Sequence, residues 1–139
     1  MSDADLRPLP QPEEGTAGFW EGCRRRELLL QHCADCAKPR FPPRPMCPAC
    51  QSMKFEWRRL SGRGTVFSFV ICHGPVLPAF ASKVPFPILL VQVEEDPTIR
   101  MIGDVMGPWE GKLRIGAPVE VEFEDVAADV TLPQWRLTG

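Results

Sequence analysis

Hydrophobic and polar positions alternate in short runs along the second half of the chain. In Val119–Asp125, Val119, Val121 and Phe123 alternate with Glu120, Glu122 and Glu124, which gives a strand one buried and one solvated face. Four further runs, Thr65–Cys72, Ile88–Val93, Arg100–Val105 and Pro133–Leu137, have strand length and are separated by turn residues. Between the third and fourth strands, Pro108–Arg114 predicts a short helix ending at Gly116. Five strands with a helix at that place form the pattern of an OB-type barrel.

Two of these runs break the one-sided rule. In Thr65–Cys72, regular alternation sends Phe67, Phe69 and Ile71 one way and Val66, Val70 and Cys72 the other. Ile88–Val93 is apolar on both faces except at Gln92. A barrel strand of this kind needs a cover outside the barrel, supplied by an N-terminal helix, by the first half of the chain, or by another chain.

The first half reads differently. Thr16 is placed to cap a helix through about Arg24, with Phe19, Trp20 and Cys23 on one face. Leu28–Leu30 predicts a short strand running into a cysteine pair, and Phe55 and Trp57 alternate with polar neighbours before Leu60. Met1–Gly15 is polar and acidic with Pro8, Pro10 and Pro12, and predicts an extended or disordered tail. The expected organisation is therefore a tail over 1–15, a helix and small cysteine module over 16–60, and a barrel over 61–139 opened by the turn Ser61-Gly62-Arg63-Gly64. The fold class is mainly β.

Composition sharpens this picture in three ways. Sixteen prolines and eleven glycines in 139 residues favour short elements and many turns over long helices. No apolar run approaches the roughly 18 residues of a membrane span, and the N-terminus lacks the pattern of an export signal. The expectation is a soluble cytoplasmic protein without a membrane partner, whose paired cysteines bind metal. Charge is unevenly spread: Ala17–Ser61 holds nine Lys/Arg against four Asp/Glu, whereas Gly62–Gly139 holds six against ten.

The chemistry lies in Cys33-Ala-Asp-Cys36 and, after ten residues, Cys47-Pro-Ala-Cys50. A two-residue gap lets both thiolates of a turn reach one ion, and two such turns complete a tetrahedral sulfur site. One structural zinc is the expectation. An iron tetrathiolate would use the same ligands and stays open at this point. Ala37 and Gln51 stand where a glycine often follows the second cysteine, a turn position that favours positive φ.

No other group of residues forms a catalytic set. His32 is superfluous beside four thiolates. Cys23 belongs to the helix's apolar face, neighbouring Cys72 and His73 point to opposite faces of a strand, and Glu94-Glu95-Asp96 precedes Pro97 in a turn. The chain has no tyrosine, two histidines and no glycine-rich phosphate loop. It is expected not to be an enzyme on its own. Gly74–Pro87 holds four prolines, Phe80, Phe86, Val76, Leu77 and Val84 against one charge. Either it packs back on its own ribbon, or it docks a partner or walls an acyl channel.

Phe19-Trp20-Glu21, the two cysteine pairs, Phe41-Pro42-Pro43-Arg44, Trp57, Ser61-Gly62-x-Gly64-x-Val66, Gly116-x-Pro118-Val119 and Phe123-Glu124-Asp125 follow one another as in one family. From about Thr16 onward the chain resembles the small acyl-CoA-associated proteins that fuse a zinc ribbon to an OB-fold. The resemblance implies an N-terminal helix, a rubredoxin-like ribbon and a C-terminal five-stranded OB barrel. It also implies zinc on Cys33, Cys36, Cys47 and Cys50, and a partner enzyme of thiolase fold, or another enzyme of CoA esters, that supplies the reactive groups. The expected function is a non-catalytic accessory subunit of such a thiolase-like enzyme. Phe80 and Phe86 in the apolar loop, with Arg40 and Arg44 of the basic ribbon, are the candidates for contact with the partner or with acyl-CoA. The alternative is a nucleic-acid-binding ribbon and OB module. An acidic barrel without aromatics on its second strand argues against it, and a stand-alone enzyme ranks third.

Overall fold

The computed structural model describes residues 7–139. Helix α1 (Ala17–Arg24) leads into a three-stranded antiparallel sheet in the order β2 (Pro39–Arg40), β1 (Leu29–Cys33), β3 (Phe55–Arg59). A five-stranded sheet follows, built from β4 (Arg63–Cys72), β5 (Phe86–Val93), β6 (Arg100–Asp104), β7 (Pro118–Ala127) and β8 (Val130–Leu137). All neighbours pair antiparallel in the order β6-β5-β4-β7-β8. The open edges meet through a parallel bridge between Val105 and Trp135, with the Met106 N–H donating to the Trp135 carbonyl at 2.7 Å. Closure of this sheet into a small barrel gives the OB topology, and it removes the unpaired edges. All five predicted barrel strands are present.

Thr16 does occupy the N-cap of α1, but its side chain caps no helical amide. Its Oγ1 instead accepts the Glu13 N–H at 3.0 Å, in the turn before the helix. Phe19 and Cys23 are buried beneath α1, with Trp20 packed at the edge of the same core. The helix packs on β8, β1 and β7 and so bridges the two sheets. One continuous core results, in which Phe19, Cys23, Leu28, Leu30 and Leu60 join Val66, Leu89, Val91, Met101, Val119 and Trp135.

Two expectations fail for local reasons. Regular alternation in β4 is broken by a β-bulge, since Val66 faces Val91 while Ser68 faces Leu90. Phe67 is the extra residue, so Val66 and Phe69 turn to the core while Phe67 is 42% exposed. The helix expected over 108–114 is only a turn, closed by Trp109 accepting the N–H groups of Lys112 and Leu113. Gly111 has φ +75 there, which no right-handed helix accommodates. Gly64 has the opposite role in β4: a Cβ on it would lie 2.5 Å from the Gln92 carbonyl oxygen, and the close approach lets β4 pair with both β5 and β7.

Of the tail expected over 1–15, residues 1–6 lie outside the described residues. Arg7 is held against the barrel, donating to Glu124 at 2.9 Å with its guanidinium 5.6 Å from the centre of the Phe80 ring. Among the described residues no helix is long and apolar enough to cross a membrane.

Candidate metal centre and docking face

The two cysteine turns fold alike because their backbones close the same way. In the first, the Cys33 N–H donates to Lys38 and the Ala37 N–H to Cys33; in the second, Cys47 donates to Ser52 and Gln51 to Cys47. Ala37 and Gln51 both have φ 65, the left-handed conformation anticipated at those positions. A side chain there strains the turn without preventing it.

The four Sγ atoms lie within 4.8 Å of one another. Cys33 and Cys50 are 3.5 Å apart and Cys36 and Cys47 are 3.6 Å apart. Four sulfurs around one zinc at about 2.3 Å stand roughly 3.8 Å from each other, so the donor set fits a tetrahedral ion in both chemistry and spacing. The backbone N–H of Cys36 pulls the Cys33 thiol down to about 6, helped by the Asp35 N–H and the neighbouring thiols. The Cys50 N–H likewise lowers Cys47. At Cys50 the Ser52 N–H acts to lower the value, but Cys33, burial and the other thiols outweigh it and push the group up to about 12. Like charges crowded in this way oppose one another, and a cation among them favours the thiolate form. Cys23, by contrast, is pushed up to about 12 by burial and is inert.

The two candidate arginines differ in exposure. Arg44 is exposed, but Arg40 is 2% exposed and cannot meet a phosphate at the surface. Its Nε and Nη2 donate to the Arg44 carbonyl at 3.1 and 3.0 Å, and the Gln31 Oε1 accepts the Arg44 N–H at 2.8 Å. Phe80 and Phe86 are half-buried and lie 6.0 Å apart, centre to centre. The apolar loop thus folds back on the barrel.

Beside that loop the outer face of β4, β5 and β6 carries an apolar patch, flanked on β6 by Arg100 and Asp104. Cross-strand register places Ser68, Leu90 and Ile102 in one row and Val70 beside Ile88 in the next. Val70 is 59% exposed and Ile102 68%. Ile102 borders three adjoining clefts. One, of about 400 Å³, lies against Phe19, Trp20 and Phe41–Pro43; another, of about 430 Å³, against Leu77, Phe80 and Phe86; the third lies over Val70 and Leu90. The need for an outside cover was legible in the sequence, but the central place of Ile102 was not, because it depends on the register of β5 with β6.

The acidic barrel face is partly neutralised. Glu122 pairs with Arg136 and Glu124 with Arg7.

A rubredoxin-like ribbon joined through a helix to an OB barrel defines the class of this protein. Residues 20–56 match the family model described as "ChsH2, rubredoxin-like zinc ribbon domain", and residues 57–124 match "ChsH2, C-terminal OB-fold domain". The chain belongs to this zinc-ribbon and OB-fold family, whose members also carry the name DUF35.

Among its relatives are a 3-oxo-4,17-pregnadiene-20-carboxyl-CoA hydratase alpha subunit of Mycobacterium tuberculosis, 38% identical over 97% of this chain, and a probable enoyl-CoA hydratase alpha subunit of Thermomonospora curvata, 34% identical over 94%. The chain spans 40% of the length of each. A DUF35 domain-containing scaffold protein of Methanocaldococcus jannaschii is 30% identical, with 79% of this chain and 77% of the relative covered. The structure titled "Ltp2-ChsH2(DUF35) aldolase" contains a chain 32% identical to this one, with a TM-score of 0.84 over 92% of this chain and 98% of that one.

Proposed function

We propose that this chain is a non-catalytic accessory subunit of an enzyme that acts on acyl-CoA thioesters, the partner being a thiolase-like enzyme of carbon–carbon bond cleavage or formation. The observation that carries this reading is the exposed apolar face centred on Ile102, which neither α1 nor the ribbon covers among the described residues. A contiguous apolar surface of this kind marks a protein interface. The hydratase subunits among the relatives support an acyl-CoA setting, and the aldolase supports a carbon–carbon bond enzyme as partner.

In this reading Cys33, Cys36, Cys47 and Cys50 hold one zinc ion. Four thiolates leave no open coordination position, so the ion closes the fold of the ribbon. Ile102, Val70, Leu77 and Phe86 fill the partner's complementary surface, with Phe80 behind them and exposed Arg44 following the Phe41–Pro43 wall of the adjoining cleft in the chain. Reactive groups come from the partner.

The test is affinity purification of the tagged chain from its native host, with co-purifying proteins identified by mass spectrometry. A CoA-ester enzyme in near-equal amount is the expected result. Recovery of nucleic acid that dissociates steeply with salt would replace this reading by the nucleic-acid one.

A further inference from the structure

Arg40 is a permanent cation placed 98% out of solvent in a module of about 35 residues. Among the described residues it has no carboxylate partner. Two of its nitrogens share the Arg44 carbonyl, while Nη1 is buried with no acceptor, as is Nε2 of Gln31. A buried charge without a counter-charge is a strongly unfavourable arrangement, which a nearby source of negative potential relieves.

The register of the ribbon sheet indicates where it is. Arg40 lies directly across from Gln31, and Phe55 directly across from Cys33. Residues directly opposite in antiparallel strands share a face, and so do residues two apart in one strand. Arg40, Gln31, Cys33 and Phe55 therefore stand on one face, in adjacent rows. The guanidinium carbon lies 5.5 Å from the centre of the ring of Phe55, the residue paired with Cys33. The ring's π face meets part of the charge. Lys38, Arg44 and Lys54, also cations near the turns, are exposed and screened by water.

We propose that Arg40 is the charge partner of the metal centre: on the sheet face it shares with Cys33, it offsets the net negative charge of a zinc tetrathiolate. The proposal rests on the zinc reading above. Four thiolates and a divalent ion carry −2, and a desolvated cation one row away lowers the free energy of that charge far more than a surface lysine does. The same guanidinium grips the Arg44 carbonyl, and Gln31 grips the Arg44 N–H. Arg40 is thus a positioning residue that links the metal to the Phe41–Pro43 segment, one wall of the cleft beside Ile102.

The experiment is zinc titration of the reduced full chain against a chromogenic chelator, for the wild type and for R40K, R40Q and R40M. Arg40→Lys keeps the charge but loses the fork, whereas Arg40→Gln keeps a donor toward Arg44 and loses the charge. If the charge matters, R40K stays within a few-fold of wild type, and R40Q and R40M raise the zinc Kd by about 10–100-fold, the range seen for outer partners of metal ligands. Unchanged affinity in R40Q, or equal loss in R40K and R40Q, overturns the proposal and leaves Arg40 a packing role. Should R40M fail to fold, the Lys and Gln pair decides. A wild-type chain that binds no zinc sinks the metal reading itself, an outcome distinct from wild-type binding with unaffected variants.

Discussion

Arg26 grips Asp125 through two parallel hydrogen bonds, Nη1 to Oδ1 at 2.8 Å and Nη2 to Oδ2 at 2.5 Å. The pair ties the turn after α1 to the hairpin between β7 and β8, 99 residues away in sequence. Arg26 meets it from a backbone with φ 63, and Thr131 donates to the same carboxylate at 2.7 Å. The ribbon and barrel are therefore joined by a directional clamp as well as by the shared core.

This clamp has a pH signature. The Arg26 guanidinium, and after it the Thr131 hydroxyl, hold Asp125 down at about 2, against an ordinary 3.8. The folded carboxylate binds a proton less readily than the unfolded one. Its stabilisation is thus complete above the ordinary value and is lost as pH falls through about 2. NMR titration of the Asp125 side chain is expected to show a midpoint near 2 in the wild type. Arg26→Ala should move it up toward the ordinary value, and an unmoved midpoint would mean that the pair does not persist in solution.

The metal reading makes a direct prediction. Inductively coupled plasma mass spectrometry should find one zinc per chain. Cys47→Ser should lower metal retention sharply and make the ribbon susceptible to proteolysis, because apparent zinc binding of about 10–16 kcal/mol contributes to the folding of such modules. Iron at stoichiometric level in the wild type would reassign the ion.

At the docking face the expectation is a loss of assembly without loss of fold. Ile102 is 68% exposed, so Ile102→Asp should change the stability of the isolated chain by no more than about 0.5 kcal/mol. A charge at the centre of an apolar interface should weaken partner binding by about 2 kcal/mol or more, measured by calorimetry with the co-purified partner. Unchanged affinity would place the interface elsewhere.

The barrel closure can be tested through Trp135, which is 1% exposed and carries the bridge to Val105. Trp135→Ala should lower stability by about 3–5 kcal/mol in denaturant unfolding, the range for emptying such a site. A loss below about 1 kcal/mol would mean that the barrel collapses around the cavity or does not depend on this closure.

Much of this architecture was legible from local pattern. The cysteine spacing in Cys33-x2-Cys36 and Cys47-x2-Cys50 marks the four sulfurs that the fold gathers within 4.8 Å, since a pair within one turn is a local property of the chain. Val119–Asp125 announces its strand because side-chain period 2 is also local, and the two-faced apolar runs of β4 and β5 announce a missing cover. The misreadings have equally specific origins. The bulge at Phe67 shifts the residues that follow onto the opposite faces, and nothing within Thr65–Cys72 marks the extra residue. Arg40 read as a surface charge because burial is set by what packs over a residue, here Gln31, Phe55 and the Arg44 segment.

What the sequence by itself determined was the composition of each element and the metal-binding chemistry, both written in neighbours a few residues apart. Tertiary structure alone decided the register that gathers Ser68, Leu90 and Ile102 into one face, the clamp between Arg26 and Asp125, and the burial of Arg40 beside the cysteine row. Each of these depends on contacts between strands or turns distant in the chain. The free energy of such contacts belongs to pairs of segments, so no single stretch of sequence carries it.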